Sequence, residues 1–306
     1  MRIIDAHVHL YPPEVGRDPA GWAVAHGERH WATLCGRRRR DGRPVQTFPS
    51  VDQLLRDLDE GHVEKAVLLG WYWERPETCR WQNRFYADCV RAHPDRLAAF
   101  ATIHPAIGEA AAREEVQQAH EAGFRGLGEL SPHSQHSRID DPALAAALQV
   151  AGELGMPVNL HVTDPQGKAY QGRVETPLDD FRQLAAAHPG TTLILAHWGG
   201  GLPLLEENPG VHRDLANVIY DTAASPLVSD VRIWRTVFDV VLPNRVLFGS
   251  DYPLVLYPRT EEKPGWRGIL AEIDQAGLGA MEKAALLAGN AARLLRLPPE
   301  GLAPKP

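Results

Sequence analysis

The sequence predicts an α/β protein, a (β/α)8 TIM barrel with a long first βα loop and an extra C-terminal helix. Eight short apolar, β-rich runs alternate with helical patterns along 306 residues, as expected of parallel strands joined by helical crossovers. Several of the runs end in His, Glu or Asp, and strand ends converge on one functional face when such a sheet closes into a barrel. The length also suits a barrel that folds as one unit, so one domain over 1–306 is expected.

The first strand is expected at 3–8, and it leads into His7-Val8-His9. Side chains two apart on a strand share a face, so these two imidazoles converge on one point. A long insertion at 11–49, rich in Pro, Gly, Arg and Trp, follows this strand; loops of that length after a barrel strand usually cover the active-site mouth. The helix expected at 51–61 follows Ser50, a good N-cap. Further strands are expected at 66–70, 98–103, 126–130, 157–161, 192–197, 218–221 and 246–250. The helices between them are expected at 77–93, 108–122, 142–154, 177–188, 229–242 and 265–276. Gly123, Gly155 and Gly277 sit where C-caps are needed, and His93-Pro94 and His188-Pro189 read as helix stops. The extra helix at 282–295 is expected to pack on the outside of the barrel, with a frayed tail at 298–306.

Bulk composition narrows the function. A net charge of −7 argues against a general nucleic-acid binder. No apolar run approaches the length of a membrane span. With a strand-like run beginning at Arg2, no signal peptide is expected. Cys35, Cys79 and Cys89 form no Cys-x-x-Cys pair, which fits a reducing cytoplasm. A small-molecule substrate is the expected partner.

Chemistry concentrates at the strand ends. His7 and His9 end strand one, Glu129 strand four, His161 strand five and His197 strand six, while Asp251 follows strand eight. Closure of the barrel makes neighbours of four imidazoles and two carboxylates, a donor set suited to one or two divalent ions.

With these motifs in place the chain resembles the amidohydrolase superfamily, and within it the amidohydrolase-2 branch of metal-dependent TIM-barrel enzymes. The resemblance spans essentially the whole chain. It rests on Asp5-Ala6-His7-Val8-His9, Gly128-Glu129-Leu130, Asn159-Leu160-His161, Leu195-Ala196-His197-Trp198-Gly199-Gly200, Phe248-Gly249-Ser250-Asp251-Tyr252-Pro253 and the terminal Gly289-Asn290-Ala291-Ala292-Arg293-Leu294-Leu295. It implies that His7, His9, His161 and Asp251 hold the principal metal, with zinc the expected ion and manganese an alternative. It implies that His197 binds a second metal or acts as an acid/base, and it suggests a homodimer. Many relatives carry a carboxylated lysine at the end of strand four; this chain has Glu129 there. A bridging Glu129 points to a hydrolase of C–N or C–O bonds, in which bound water drops from a pKa of about 15.7 towards about 7. Asp251 would then take and return a proton while His197 polarises the substrate carbonyl. The alternative on the same framework is a nonoxidative decarboxylase or hydratase of an aromatic or unsaturated carboxylic acid. A TatD-like nuclease and an inactive binding barrel fit less well.

Residues outside the ligand set supply candidate substrate contacts. Trp71-Tyr72-Trp73 follow strand two, with Trp71 and Trp73 the named candidates, and Trp198 follows His197, where aromatics either wall a pocket or pack loops together or across a dimer interface. Arg37, Arg38, Arg39 and Arg40, with Arg43 beyond, form a basic run. One of them, with Arg37 and Arg40 as the named candidates, would clamp a substrate carboxylate; otherwise the run is a solvated face. His104, His133 and His136 lie close enough in sequence to strand ends to be considered. Asp221, ending strand seven, is a candidate to orient a ligand histidine. Asp5 shares the face of His7, so burial and a partner such as an arginine are expected.

Overall fold

The computed structural model describes residues 1–297; the expected frayed tail at 298–306 lies outside the described residues. β1 (Ile4–Val8), β2 (Lys65–Leu69), β3 (Leu97–Ala101), β4 (Gly126–Leu130), β5 (Val158–Leu160), β6 (Leu193–Leu195), β7 (Val218–Asp221) and β8 (Val246–Leu247) pair in sequence order, and each adjacent pair is parallel. The turn after β8 closes the sheet onto β1. Ala6 N donates to Phe248 O at 2.8 Å, Asp251 N to His7 O at 3.0 Å and His9 N to Tyr252 O at 2.7 Å.

Alternation along the strands builds two cores. Ala66 and Leu68 pack outward with Leu54, Leu58 and Tyr86 of the surrounding helices. Val67 and Leu69 pack with Ile4, Ala6, Ala98, Phe100, Ile194 and Leu247. A cluster drawing on β1, β2, β3, β6 and β8 together can only fill the barrel interior, the usual packed core of this fold.

Local signals read as expected in several helices. Ser50 caps the helix Val51–Glu60, its hydroxyl accepting from Gln53 N at 3.2 Å. Asp141 caps Pro142–Leu154, which ends at left-handed Gly155 with φ 65°. Gly123 and Gly277, with φ of 89° and 70°, likewise take the conformation that a glycine adopts without steric cost.

Three expectations are corrected. First, the segment after β1 is no plain loop: it holds the short helices Pro13–Arg17, Pro19–His26 and Arg29–Cys35. These form a strap around the aromatic cluster of Tyr11, Trp31 and Trp73. The strap is fastened to the β8 loop through Thr47 N to Pro253 O at 3.2 Å and Val255 N to Val45 O at 3.0 Å. Second, the C-terminal helical segment lies only in part on the outer wall, where Leu286 and Leu287 join the outward core. Ala288, Ala291 and Leu295 join the interior cluster, and Asn290 Nδ2 donates to Pro243 O and Val246 O at 2.7 Å. It plugs the barrel end opposite the ligand cluster, where exposed interior side chains would otherwise meet water. Third, Asp5 is buried without an arginine. It accepts from Trp266 Nε1 at 2.5 Å, Ser250 N at 3.0 Å and His7 N at 3.1 Å, and from the Ser250 hydroxyl. With only neutral donors around it, burial raises its pKa above the ordinary carboxylate value.

Candidate active site

The strand ends bring the predicted ligand residues together at one end of the barrel. Ligand atoms of His7, His9 and Asp251 lie within 4.8 Å of one another, and so do those of Glu129, His161 and His197. Glu129 faces both groups: Oε1 is 2.9 Å from His161 Nδ1 and 3.5 Å from His197 Nε2, while Oε2 is 3.5 Å from His9 Nε2. All six side chains are buried or nearly so.

Surrounding acceptors fix the tautomers. His7 Nδ1 donates to Asp221 Oδ2 at 2.9 Å, His9 Nδ1 to Leu69 O at 3.0 Å and His197 Nδ1 to Ala223 O at 3.1 Å. Each ring therefore turns Nε2 inward, and an outer partner for the second nitrogen is the usual support for a metal-binding histidine. Asp221 is itself held by Asn159 Nδ2 at 2.8 Å and Ala223 N at 3.0 Å. The inward atoms crowd: His7 Nε2 lies 3.2 Å from His9 Nε2, and His197 Nε2 lies 3.2 Å from His161 Nδ1. Facing imidazole lone pairs at that separation need a cation or a proton between them.

Electrostatics agree with a site built for positive charge. Burial disfavours the His7 imidazolium, yet Asp221, with Glu129 and Asp251, outweighs it and lifts His7 to about 10. Burial pushes Glu129 up, but His161, His197 and His9 hold it well below the usual carboxylate range. For Asp251 the balance reverses. Burial raises it against the pull of His7, His197 and His9. Two carboxylates in one cluster are thus driven apart, one kept ionised and the other disposed to hold a proton. The donor set fits a divalent cation.

Above the cluster opens a cavity of about 610 Å³ with His9, Glu129, His161, His197 and Asp251 in its floor. Trp71, Tyr72 and Tyr170 supply aromatic wall, Leu227 and Val228 aliphatic wall, and Arg37, Arg39, Lys168 and Arg173 positive charge. Such a volume suits a small organic ligand. Arg37 lies 4.3 Å over the Tyr170 ring, whereas Arg39 donates to Pro258 O at 2.6 Å and Pro44 O at 3.1 Å.

Of the candidate substrate contacts, Trp71 and Arg37 reach the cavity and three do not. Trp73 is packed in the strap cluster and donates to Gln82 Oε1 at 2.7 Å. Trp198 is buried against Trp234 and donates to Ser225 Oγ at 2.9 Å. Arg40 is exposed and away from the cavity lining. Residues 71–73 lie beyond the end of β2, where strand alternation no longer sets the side-chain direction, and for Trp198 a left-handed φ of 55° redirects the ring. His133 pairs with Asp180 at 2.9 Å and His136 approaches Glu74 at 3.5 Å. His104 accepts from Ala106 N at 3.0 Å. None of these three lines the cavity. Tyr72, within the aromatic run Trp71-Tyr72-Trp73, also reaches the cavity, whereas Tyr170, Lys168 and Arg173 were passed over because they sit in a loop without periodicity.

The fold and this centre define a (β/α)8-barrel enzyme with a histidine–carboxylate cluster. The amidohydrolase family model matches residues 4–297, and the chain belongs to that family. A 6-methylsalicylic acid decarboxylase of Penicillium expansum is 24% identical over 295 residues, 83% of this chain and 85% of the relative. The 5-carboxyvanillate decarboxylase of Sphingomonas paucimobilis superposes with a TM-score of 0.74 at 18% identity, covering 97% of this chain and 99% of that one. A dihydroxybenzoic acid decarboxylase of Polaromonas, solved with manganese and 2-nitroresorcinol, superposes with a TM-score of 0.68 at 18% identity, covering 97% of both chains.

These relatives correct the expected hydrolase: each acts on an aromatic acid by decarboxylation. The hydrolase reading leaned on Glu129 as a bridge between ions. In the structure its shortest contact is to an imidazole, so its position does not single out hydrolysis. The expectation of zinc gains no support over manganese. No helix among the described residues is long and apolar enough to cross a membrane.

Proposed function

We propose that this protein is a metal-dependent nonoxidative decarboxylase of a hydroxylated aromatic carboxylic acid. One observation carries the reading: a cavity walled by flat rings and rimmed by cations ends on a buried His/carboxylate cluster. Aromatic walls favour a planar ring, and the cations favour an anion. The decarboxylase relatives support the same class of substrate.

A divalent ion held by His7, His9, His161 and Asp251, manganese being a candidate beside zinc, would supply Lewis acidity that draws substrate oxygens to the floor of the cavity. The chain's own residues account for the rest. Asp251 Oδ1 faces His7 Nε2 and His9 Nε2 at 3.9 and 3.6 Å, which leaves Oδ2 to carry a proton. That proton passes to the ring carbon bearing the carboxylate. The C–C bond to the carboxylate then breaks, its electron pair restores the aromatic ring, and carbon dioxide leaves. A proton from water recharges Asp251, so one proton is consumed per turnover. A ring hydroxyl beside the carboxylate assists by donating electron density to the carbon that is protonated. Trp71, Tyr72 and Tyr170 keep the ring in register and limit water at the reacting carbon.

The test is to load the protein with manganese or zinc and offer a panel of 2- and 4-hydroxybenzoates, following carbon dioxide and the phenolic product. Stoichiometric formation of both is expected. Hydrolysis of amide or lactone substrates without any carbon dioxide from the panel would overturn the proposal.

A further inference from the structure

Tyr72 is buried, at 3% exposure, yet lines the cavity. Its ring stacks on Trp71 at 4.3 Å between centroids and tilts against His161 at 5.2 Å. The phenol oxygen has no hydrogen-bond partner among the described residues, whereas Tyr86 donates to Leu69 O at 2.8 Å, Tyr220 to Glu206 Oε1 at 2.6 Å and Tyr252 to Asp57 Oδ2 at 2.7 Å. Beside it, Trp71 Nε1 is also buried without a partner. The Tyr72 hydroxyl is free to meet a ligand in the cavity, and the idle, buried Trp71 N–H beside it requires an explanation, because buried polar groups are nearly always paired. A missing ligand atom is the simplest one. The wall lies on the His161 and Glu129 side of the floor, where a substrate oxygen drawn to the cluster would pass within reach. The indole N–H and the phenol O–H can both donate to an anion.

We propose that Tyr72 is a substrate-binding residue whose hydroxyl donates a hydrogen bond to the substrate carboxylate, with the Trp71 indole N–H as the neighbouring donor. This rests on the decarboxylase reading for the identity of the acid. It extends that reading by giving specificity to a residue outside the His/carboxylate cluster. The ring of Tyr72 would hold the aromatic plane while its oxygen selects the acid over the decarboxylated product, which favours product release.

Tyr72→Phe removes only the hydroxyl and keeps the stack. Because that hydroxyl satisfies nothing in the protein, the variant is expected to unfold at the same temperature as the parent or higher, with the same metal content. Calorimetric binding of 2-hydroxybenzoate to the metal-loaded protein is expected to weaken about ten- to hundredfold, while phenol, which lacks the carboxylate, binds as before. Equal losses for both ligands, no loss for either, or a destabilised Tyr72→Phe would each overturn the assignment. Binding is read without turnover. Carboxylate binding that depends on Tyr72 without any carbon dioxide release would therefore sink the decarboxylase reading alone, whereas turnover with an unaffected Tyr72→Phe would sink this one alone.

Discussion

Asp251 and Glu129 lie in one buried cluster yet are driven to opposite ionisation. Glu129 sits among three imidazoles and is held low, whereas burial dominates at Asp251 and raises it. On the proposed decarboxylase reading, Asp251 is the proton carrier. Asp251→Asn is expected to keep the far-UV circular dichroism of the parent and to lose carbon dioxide release by at least about a hundredfold, within the range of general acid–base catalysis; near-parental turnover would refute the role. Asp221 acts one step further out, through the Nδ1 of His7. Asp221→Asn is expected to weaken metal affinity about ten- to hundredfold, measured by competition with a chelator of known affinity. An unchanged affinity would mean that His7 is oriented without the Asp221 carboxylate. His7, His9, His161 and His197 were all identifiable as candidates in the sequence, because each ends a strand-like run. Tyr72 was legible only as part of Trp71-Tyr72-Trp73, because nothing about a tyrosine between two tryptophans says which of the three rings faces a cavity.

Among the elements, the strap between β1 and β2 carries the least regular signal. Glu28 anchors it by accepting from Glu74 N at 2.6 Å in the turn after β2. Burial pushes the Glu28 carboxyl from 4.5 up to about 7, against hydrogen bonds that pull it down. The folded chain thus binds a proton that the unfolded chain has already released between pH about 4.5 and about 7, so this group's contribution to stability falls as pH rises through that window. Urea midpoints measured across the window are expected to show Glu28→Gln gaining on the parent as pH rises. Parallel curves would mean that Glu28 does not titrate in the strap. Length and Pro/Gly content marked the strap as a loop, yet its helices are five to eight residues long, too short for an apolar period to be read. The extra C-terminal helix was placed correctly in sequence, but only part of it packs on the outside, as Leu286 and Leu287 do, while Ala288, Ala291 and Leu295 enter the interior core. An apolar face shows that a helix is covered, and only the open end of the barrel shows what covers it.

For the whole molecule, the barrel brings six ligand side chains from five strand ends to one place, and their crowding is relieved by a cation. Metal binding and folding are accordingly linked. Chelation is expected to lower the unfolding temperature, and added manganese or zinc to restore it. At a free metal concentration a hundredfold above the dissociation constant, the gain is about 2.7 kcal/mol. An unfolding temperature indifferent to chelator and metal would argue against a bound ion at the cluster. The alternation of eight apolar runs with helices, and the placing of His, Glu and Asp at the run ends, were written in the linear order of residues. Periodicity is local, so the barrel and its ligand set could be read without coordinates. Three things waited on the tertiary structure: which of Trp71, Tyr72, Trp73 and Trp198 face the cavity, which arginines reach it, and where the C-terminal helix packs. Each depends on atoms far apart in the chain meeting at a particular angle, and a run of residue types does not encode that angle. The reaction itself followed the same division. Glu129 at a strand end reads as a metal bridge, but it is the ring-lined, cation-rimmed cavity above it that favours an aromatic acid.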